Sequence, residues 1–218
     1  MRADLHVHTC YSNDGKSTPE QVVERCLEIG IGCVAITDHN EFRAFDDLKD
    51  DGRIIVIPAE EVSSKDGHIV ALGIDRHIPR DMGIQETIDA IHDAGGYAFA
   101  AHPYRWWSGL GEKNTLRYQF DGTEALNARS IPSANIKSER LAARIGRPVT
   151  AGSDAHSPQR IGWGYVELPD GLTTWQEVLS AILEGKAEPH SASRRFDETL
   201  RYGTKSISQW MLRGFRRM

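Results

Sequence analysis

Two histidines stand one residue apart in a short apolar run near the start of the chain, DLHVH, Asp4 to His8. Side chains two apart on a strand share a face, so His6 and His8 project together. Paired imidazoles make a poor core and a good half of a metal site. Ligand-type residues recur at the ends of later apolar runs. CVAITDH closes on Asp38 and His39, IIVIPAEE on Glu60 and Glu61, and YAFAAH on His102. VTAGSDAH closes on Asp154 and His156, again two apart. In parallel α/β folds, functional side chains gather at the carboxyl ends of strands. Five such endings point to a metal site rather than to packing. His68 begins its run, GHIVALGI, and Asp14 lies in the turn Asn13-Asp14-Gly15, where an aspartate is at home as a turn former. Asp38 reads as a residue that orients a ligand or caps a helix.

The elements that carry these endings alternate between strand and helix. STPEQVVERCLEIG reads as a helix with Thr18 as N-cap, Pro19 first, Gln21 completing a capping box and Gly30 as the stop. A polar helix follows CVAITDH, from about residue 41 to 48, and RIIVIPAEEVS reads as one strand. IQETIDAIHDAGG, SANIKSERLAARIG and a segment capped at TTWQEV read as further helices, GTEALNA and WGYVEL as further strands. Such alternation predicts a parallel α/β fold.

With 218 residues the chain suits one main domain. Its net charge of -5 is uneven. Residues 194–218 hold seven Lys/Arg against two Asp/Glu, leaving -10 on residues 1–193. An acidic body rich in histidine suits cations, and a basic tail suits anions. The tail, with Ile207, Trp210, Met211, Leu212 and Phe215 among its arginines, reads as a segment packed on the body or extending from it to nucleic acid or another chain. Cys10, Cys26 and Cys33 have no CxxC spacing and read as reduced thiols. No apolar run has membrane-spanning length and no leader is evident, so a cytoplasmic location is expected.

Taken as an ordered set, HVHTxxS, TDH, a carboxylate before VS, AHP and GSDAH resemble the PHP (polymerase and histidinol phosphatase) superfamily. The resemblance runs from residue 3 to about 166. It implies a distorted (β/α)7 barrel over residues 1–193, with up to three metal ions at the carboxyl ends of the strands. Carried across by position, it implies a first site of His6, His8, Glu61 and Asp154. Glu61, His68 and His102 would form the second, with Glu61 bridging, and Asp14, His39 and His156 the third. Glu61 is preferred to Glu60 because it directly precedes Val62-Ser63, as in the family motif. Aspartate at position 14 looks more like the branch acting on nucleotides and short oligonucleotides than like histidinol phosphatases. Nitrogen and oxygen ligands without thiolate suit zinc, manganese or iron.

Closely spaced metals lower the pKa of a shared water and offset phosphoryl charge. The expected activity is hydrolysis of a phosphate ester, by a hydroxide bridging the first two of two or three divalent ions, with Glu61, Asp154 and His156 as the catalytic set. A phosphomonoester or a short oligonucleotide is the expected substrate. Arg105, Arg129 and Arg160 follow strand ends and suit phosphate, Asn127 suits the pocket wall, and Trp106 and Trp107 could stack on a base. Competing readings are a metal-dependent C–N bond hydrolase, a non-catalytic PHP-like RNA-protein scaffold and a proofreading accessory acting in trans. No helix-turn-helix or zinc-finger signature supports duplex DNA as a partner.

Overall fold

The capping box at Thr18 is present: its hydroxyl accepts from the Gln21 N–H, and the Gln21 side chain accepts from the Thr18 N–H. It starts α1 (Pro19–Ile29), which Gly30 ends at φ 72°. Ahead of it lies β1 (Arg2–Val7), buried except at its first residue. Then follow β2 (Cys33–Ile36), α2 (Arg43–Leu48), β3 (Ile55–Ile57), β4 (Ala59–Ser64), β5 (Gly67–Leu72), α3 (Ile84–Asp93) and β6 (Tyr97–Ala100). The chain continues through α4 (Gly111–Arg117), β7 (Gly122–Asn127), α5 (Pro132–Ile145) and β8 (Val149–Gly152). A short 3-10 turn (Pro158–Arg160) leads to β9 (Gly164–Glu167), α6 (Trp175–Leu183) and β10 (Glu188–Ser191). This computed structural model describes residues 1–191, so the basic tail at 194–218 lies outside the described residues. No described helix is long and apolar enough to cross a membrane.

The expected α/β alternation holds, but the expected closed (β/α)7 barrel does not appear among the described residues. The strands form two five-stranded sheets, ordered β10-β9-β1-β2-β3 and β4-β5-β6-β7-β8. Each sheet mixes directions: β1, β2 and β3 are parallel, as are β6, β7 and β8, while β9, β10 and the β4-β5-β6 meander run antiparallel. Pro58 is the reason that RIIVIPAEEVS is two strands: lacking an N–H, it breaks the run between β3 and β4, which belong to different sheets. The sheets join through single bridges, Val7 with Ala155 and His39 with Glu61.

Two elements were not legible in the sequence. The α4 helix buries only Thr115, so it has no apolar stripe, and β10 is a polar edge strand containing Pro189. One core cluster unites both sheets and α6 through Leu5, Ile57, Leu72, Phe99, Leu126, Val178 and Ile182. A second packs α3 on β5 and β6, and a third packs α1 and α2 on β1 and β2. A register irregularity between Asp4 and Val7 places Leu5 in the first cluster and Val7 in the third. The strand ends above the first cluster carry the polar residues.

Candidate metal centre

Chain direction explains how these side chains meet. His6 and His8 leave the end of β1, His39 follows β2, His102 follows β6, and Asp154 and His156 follow β8. His68 belongs with them because β5 runs antiparallel to β4, which brings its first residues to the same rim. Gly152 permits a close approach: a Cβ there would lie 2.3 Å from the Cβ of His6. The backbone is strained where the ligand candidates turn inward, with φ 26° at His102 and 50° at Asp154.

Glu61 is the hub. One carboxylate oxygen lies 2.8 Å from His68 Nδ1 and 2.9 Å from His102 Nε2. The other lies 3.1 Å from His39 Nδ1 and 3.3 Å from both His6 Nε2 and His8 Nε2. Asp154 Oδ1 lies 3.4 Å from His8 Nε2 and from His156 Nδ1, and Asp14 Oδ2 lies 3.0 Å from His156 Nε2. All nine residues implied by the resemblance therefore fall in one cluster, buried at its centre and partly exposed at Asp14, His39 and His156.

The donor set fits metal ions. His6 Nε2, His8 Nε2, both His39 ring nitrogens, His68 Nε2, His102 Nδ1 and Asp14 Oδ1 are buried without a hydrogen-bond partner. A metal ion would satisfy such atoms. Donors converge within 4.8 Å in four sets: His6-His8-Glu61, His39-Glu61-His68, His8-His39-His156 and His6-His102-Asp154. The first two share Glu61, as a bridging carboxylate requires. The grouping differs from the resemblance at three points, with His39 beside Glu61 and His68, His8 beside His39 and His156, and His102 beside His6 and Asp154.

Electrostatics favours cations here. Burial disfavours the Glu61 charge, yet His68, His6 and His39 outweigh it and hold the carboxyl well below its ordinary range. Burial, helped by Arg105, pushes His102 down to about 4; burial and Arg129 do the same to His156. Those imidazoles are neutral, the ligating form, at neutral pH. At His6 burial is outweighed by Glu61, Glu124 and Asp154, which hold it above its ordinary value. That point of the cavity attracts positive charge.

A second layer fixes ring orientation. His6 Nδ1 lies 3.1 Å from Glu124 Oε1, which aims Nε2 at Glu61. Ser12 Oγ donates to Asp38 (2.7 Å) and lies 3.2 Å from His8 Nδ1, so His8 keeps Nε2 as its inward acceptor. Asp38 thus takes the orienting role, held also by the Thr9 N–H and hydroxyl. Glu124 escaped sequence reading, which weighed strand ends; its signal is an acid inside the apolar strand GTEALNA. Ser12 carried no signal that separates it from a turn former.

Two expected phosphate arginines reach the cluster. Arg105 is buried; its Nη1 lies 2.6 Å from Asp154 Oδ2 and its Nη2 donates to Asn127 Oδ1 (2.5 Å). Arg129 Nη1 lies 3.3 Å from Asp154 Oδ1 and 2.7 Å from His156 Nε2. Asn127 is buried and donates to Glu124 and to Asp154, so it links the layers rather than lining an open wall. Arg160 lies over the Trp163 ring, 5.7 Å from its centroid, with no hydrogen bond or ion pair to the cluster among the described residues. Cys10 is exposed and outside the donor sets.

The chain is similar to known proteins. The PHP domain model matches residues 4–104, and a PHP-associated model matches residues 132–187. An uncharacterised protein of Methanocaldococcus jannaschii is 34% identical over 142 residues, covering 59% of this chain and 82% of that protein. The 5'-3' exoribonuclease Rnm of Salmonella typhimurium is 39% identical over 95 residues, 38% of this chain and 32% of that enzyme. A two-domain Bacteroides vulgatus protein containing a predicted PHP-like metal-dependent phosphoesterase superposes with a TM-score of 0.72. It is 17% identical, and the match covers 94% of this chain and 69% of that one.

Proposed function

Since this chain belongs to the PHP family, we propose that it is a metal-dependent phosphoesterase acting on a nucleotide or short oligonucleotide. The observation that carries the reading is Glu61, one buried carboxylate within 3.3 Å of five imidazoles, with two guanidiniums alongside. Two or three divalent ions of zinc, manganese or iron, when bound, supply activated water and neutralise phosphoryl charge. His6, His8, Glu61 and Asp154 would hold the first ion, Glu61, His68 and His102 the second, and Asp14, His39 and His156 the third. His39 stands close enough to Glu61 and His68 to serve the second as well.

The remaining residues bind and orient. Arg129, partly exposed between Asp14, Asp154 and His156, is placed to grip a phosphoryl oxygen that enters the rim. Arg105 reaches the same Asp154 from the buried side and keeps that carboxylate ionised and fixed. Asn127 ties Asp154 to Glu124, so the ligands of the first site form one rigid unit. Glu61, Asp154 and His156 remain the proposed catalytic set, and residues 1–193 the proposed catalytic body in a cytoplasmic protein. Convergence of eight of the nine donors into overlapping sets, with Asp14 beside His156, favours an enzyme over a scaffold. A glutamate hub, in place of a carboxylated lysine, favours phosphoester over C–N chemistry.

The test is a panel of histidinol phosphate, nucleoside monophosphates, 3',5'-bisphosphates and short RNA, offered to protein purified without chelator. The reading expects chelator-sensitive turnover of a nucleotide or oligonucleotide. Metal-replete protein that is inactive on every phosphoester would overturn it.

A further inference from the structure

Beyond the metal centre the chain runs into a segment with two faces. Arg105 turns inward to Asp154, while its neighbour Tyr104 lines two hollows. One, of about 410 Å³, also takes in Arg105, Trp106 and Asn114. The other, of about 370 Å³, is walled by Lys137, Arg140 and Arg144 of α5 with Glu112 of α4. A path of side chains therefore leads from the rim of the cluster to the outer face of α5.

That outer face is basic. Lys137, Arg140 and Arg144 recur at helical spacing, all exposed, while Ala134, Ser138, Leu141 and Ala142 are buried. Glu112 bridges Arg144 (2.5 Å) and accepts from the Tyr104 hydroxyl (2.6 Å), tying the loop to α5. Neither Lys137 nor Arg140 makes a salt bridge among the described residues; Lys137 acts on Glu112 only at longer range, and its Nζ stands 5.8 Å from the Tyr104 ring centroid. Residues 105–147 hold eight Lys/Arg against four Asp/Glu, within a body whose net charge is -10. Of those four acids, Glu124 is buried and Asp121 is bonded to His92. A basic face on an acidic protein is a directed feature, not a general aid to solubility.

We infer that Lys137, Arg140 and Tyr104 form a track for the backbone of a single-stranded nucleic acid, whose reacting end enters the metal centre. The inference deepens the phosphoesterase reading and rests on it for the reacting end. Spaced cations beside aromatic rings suit a flexible strand, because phosphates meet the cations and unpaired bases stack on the rings. The track explains how a centre built for one phosphate selects a chain of them: phosphates beyond the reacting one add affinity without touching the metals.

The experiment is fluorescence anisotropy of a labelled single-stranded RNA decamer on the full-length, metal-stripped protein, where no cleavage interferes, across a salt series. Wild type is compared with the Lys137→Gln/Arg140→Gln double variant and with Lys49→Gln, at the C-cap just past α2, as a control. For single strands each phosphate contact contributes a salt slope of about 0.7. The double variant should therefore lose about 1.4 from the slope of log affinity against log salt, and the control none. Metal content and turnover of a mononucleotide should match wild type. An unchanged slope in the double variant would overturn the track. An equal loss of binding to an acidic peptide would also overturn it, in favour of a general anion surface. If the slope changes as expected but metal-replete protein cleaves no phosphoester, the track stands as a binding surface and the hydrolase reading fails.

Discussion

Glu60 and Glu61 are neighbours in β4, both buried, and the two faces of that strand treat a carboxylate in opposite ways. On one face five imidazoles surround Glu61 and hold its proton affinity well below the ordinary range. On the other, Glu60 accepts from the Ile78 N–H and meets the half-exposed His77 at 3.1 Å, while its Oε1 has no hydrogen-bond partner. There burial dominates and pushes Glu60 up to about 7. Equal burial with different company gives an anion in one place and a near-neutral acid in the other. The strand period of two is what assigns each residue to its company.

Four changes test that contrast. Glu61→Gln should remove the bridging charge, lower bound metal measured by elemental analysis, and cut turnover on the order of 10³-fold. Retained metal and rate would break the contrast outright. Glu124→Gln leaves the nine donors in place but weakens the bond that orients His6, and metal affinity should fall roughly 10- to 100-fold in a competition titration. An unchanged affinity would show that His6 needs no support from behind.

Glu60→Gln should act on stability instead of metal. The folded-state value of Glu60 lies above its ordinary 4.5, so wild-type stability is fully present below pH 4.5 and falls as pH rises through about 7. Denaturation of metal-stripped protein across that window should show the variant gaining on wild type, to a ceiling of roughly 3 kcal/mol. A difference that does not vary with pH would refute the assigned burial effect. Smallest of all is His77→Ala, an exposed partner whose loss should cost within about 1 kcal/mol while moving the Glu60 midpoint upward, seen in the same pH series.

Much of this was legible before the fold was known, and particular residues show why. His6 with His8 and Asp154 with His156 betray themselves by spacing, since strand geometry makes i and i+2 neighbours. The strand endings likewise give the rim, because parallel strands present their carboxyl ends together. Legibility stops where a contact depends on the partner strand. His68 reaches the rim only through the antiparallel pairing of β5, and His39 meets Glu61 through one of the two bridges between the sheets. Glu124 acts sideways from the middle of β7, away from the strand ends where ligand-type residues were sought. The split at Pro58 was visible as a proline, but its consequence, two sheets instead of one closed ring, depends on which neighbour each half chooses.

The most direct test of the central claim is the metal-to-chain ratio of wild type and Glu61→Gln, measured by elemental analysis after reconstitution with zinc, manganese or iron. A metal centre built around Glu61 predicts about two or three ions per wild-type chain and a clear loss in the variant. A wild-type chain that takes up no metal, or a variant that binds as much as wild type, would contradict it.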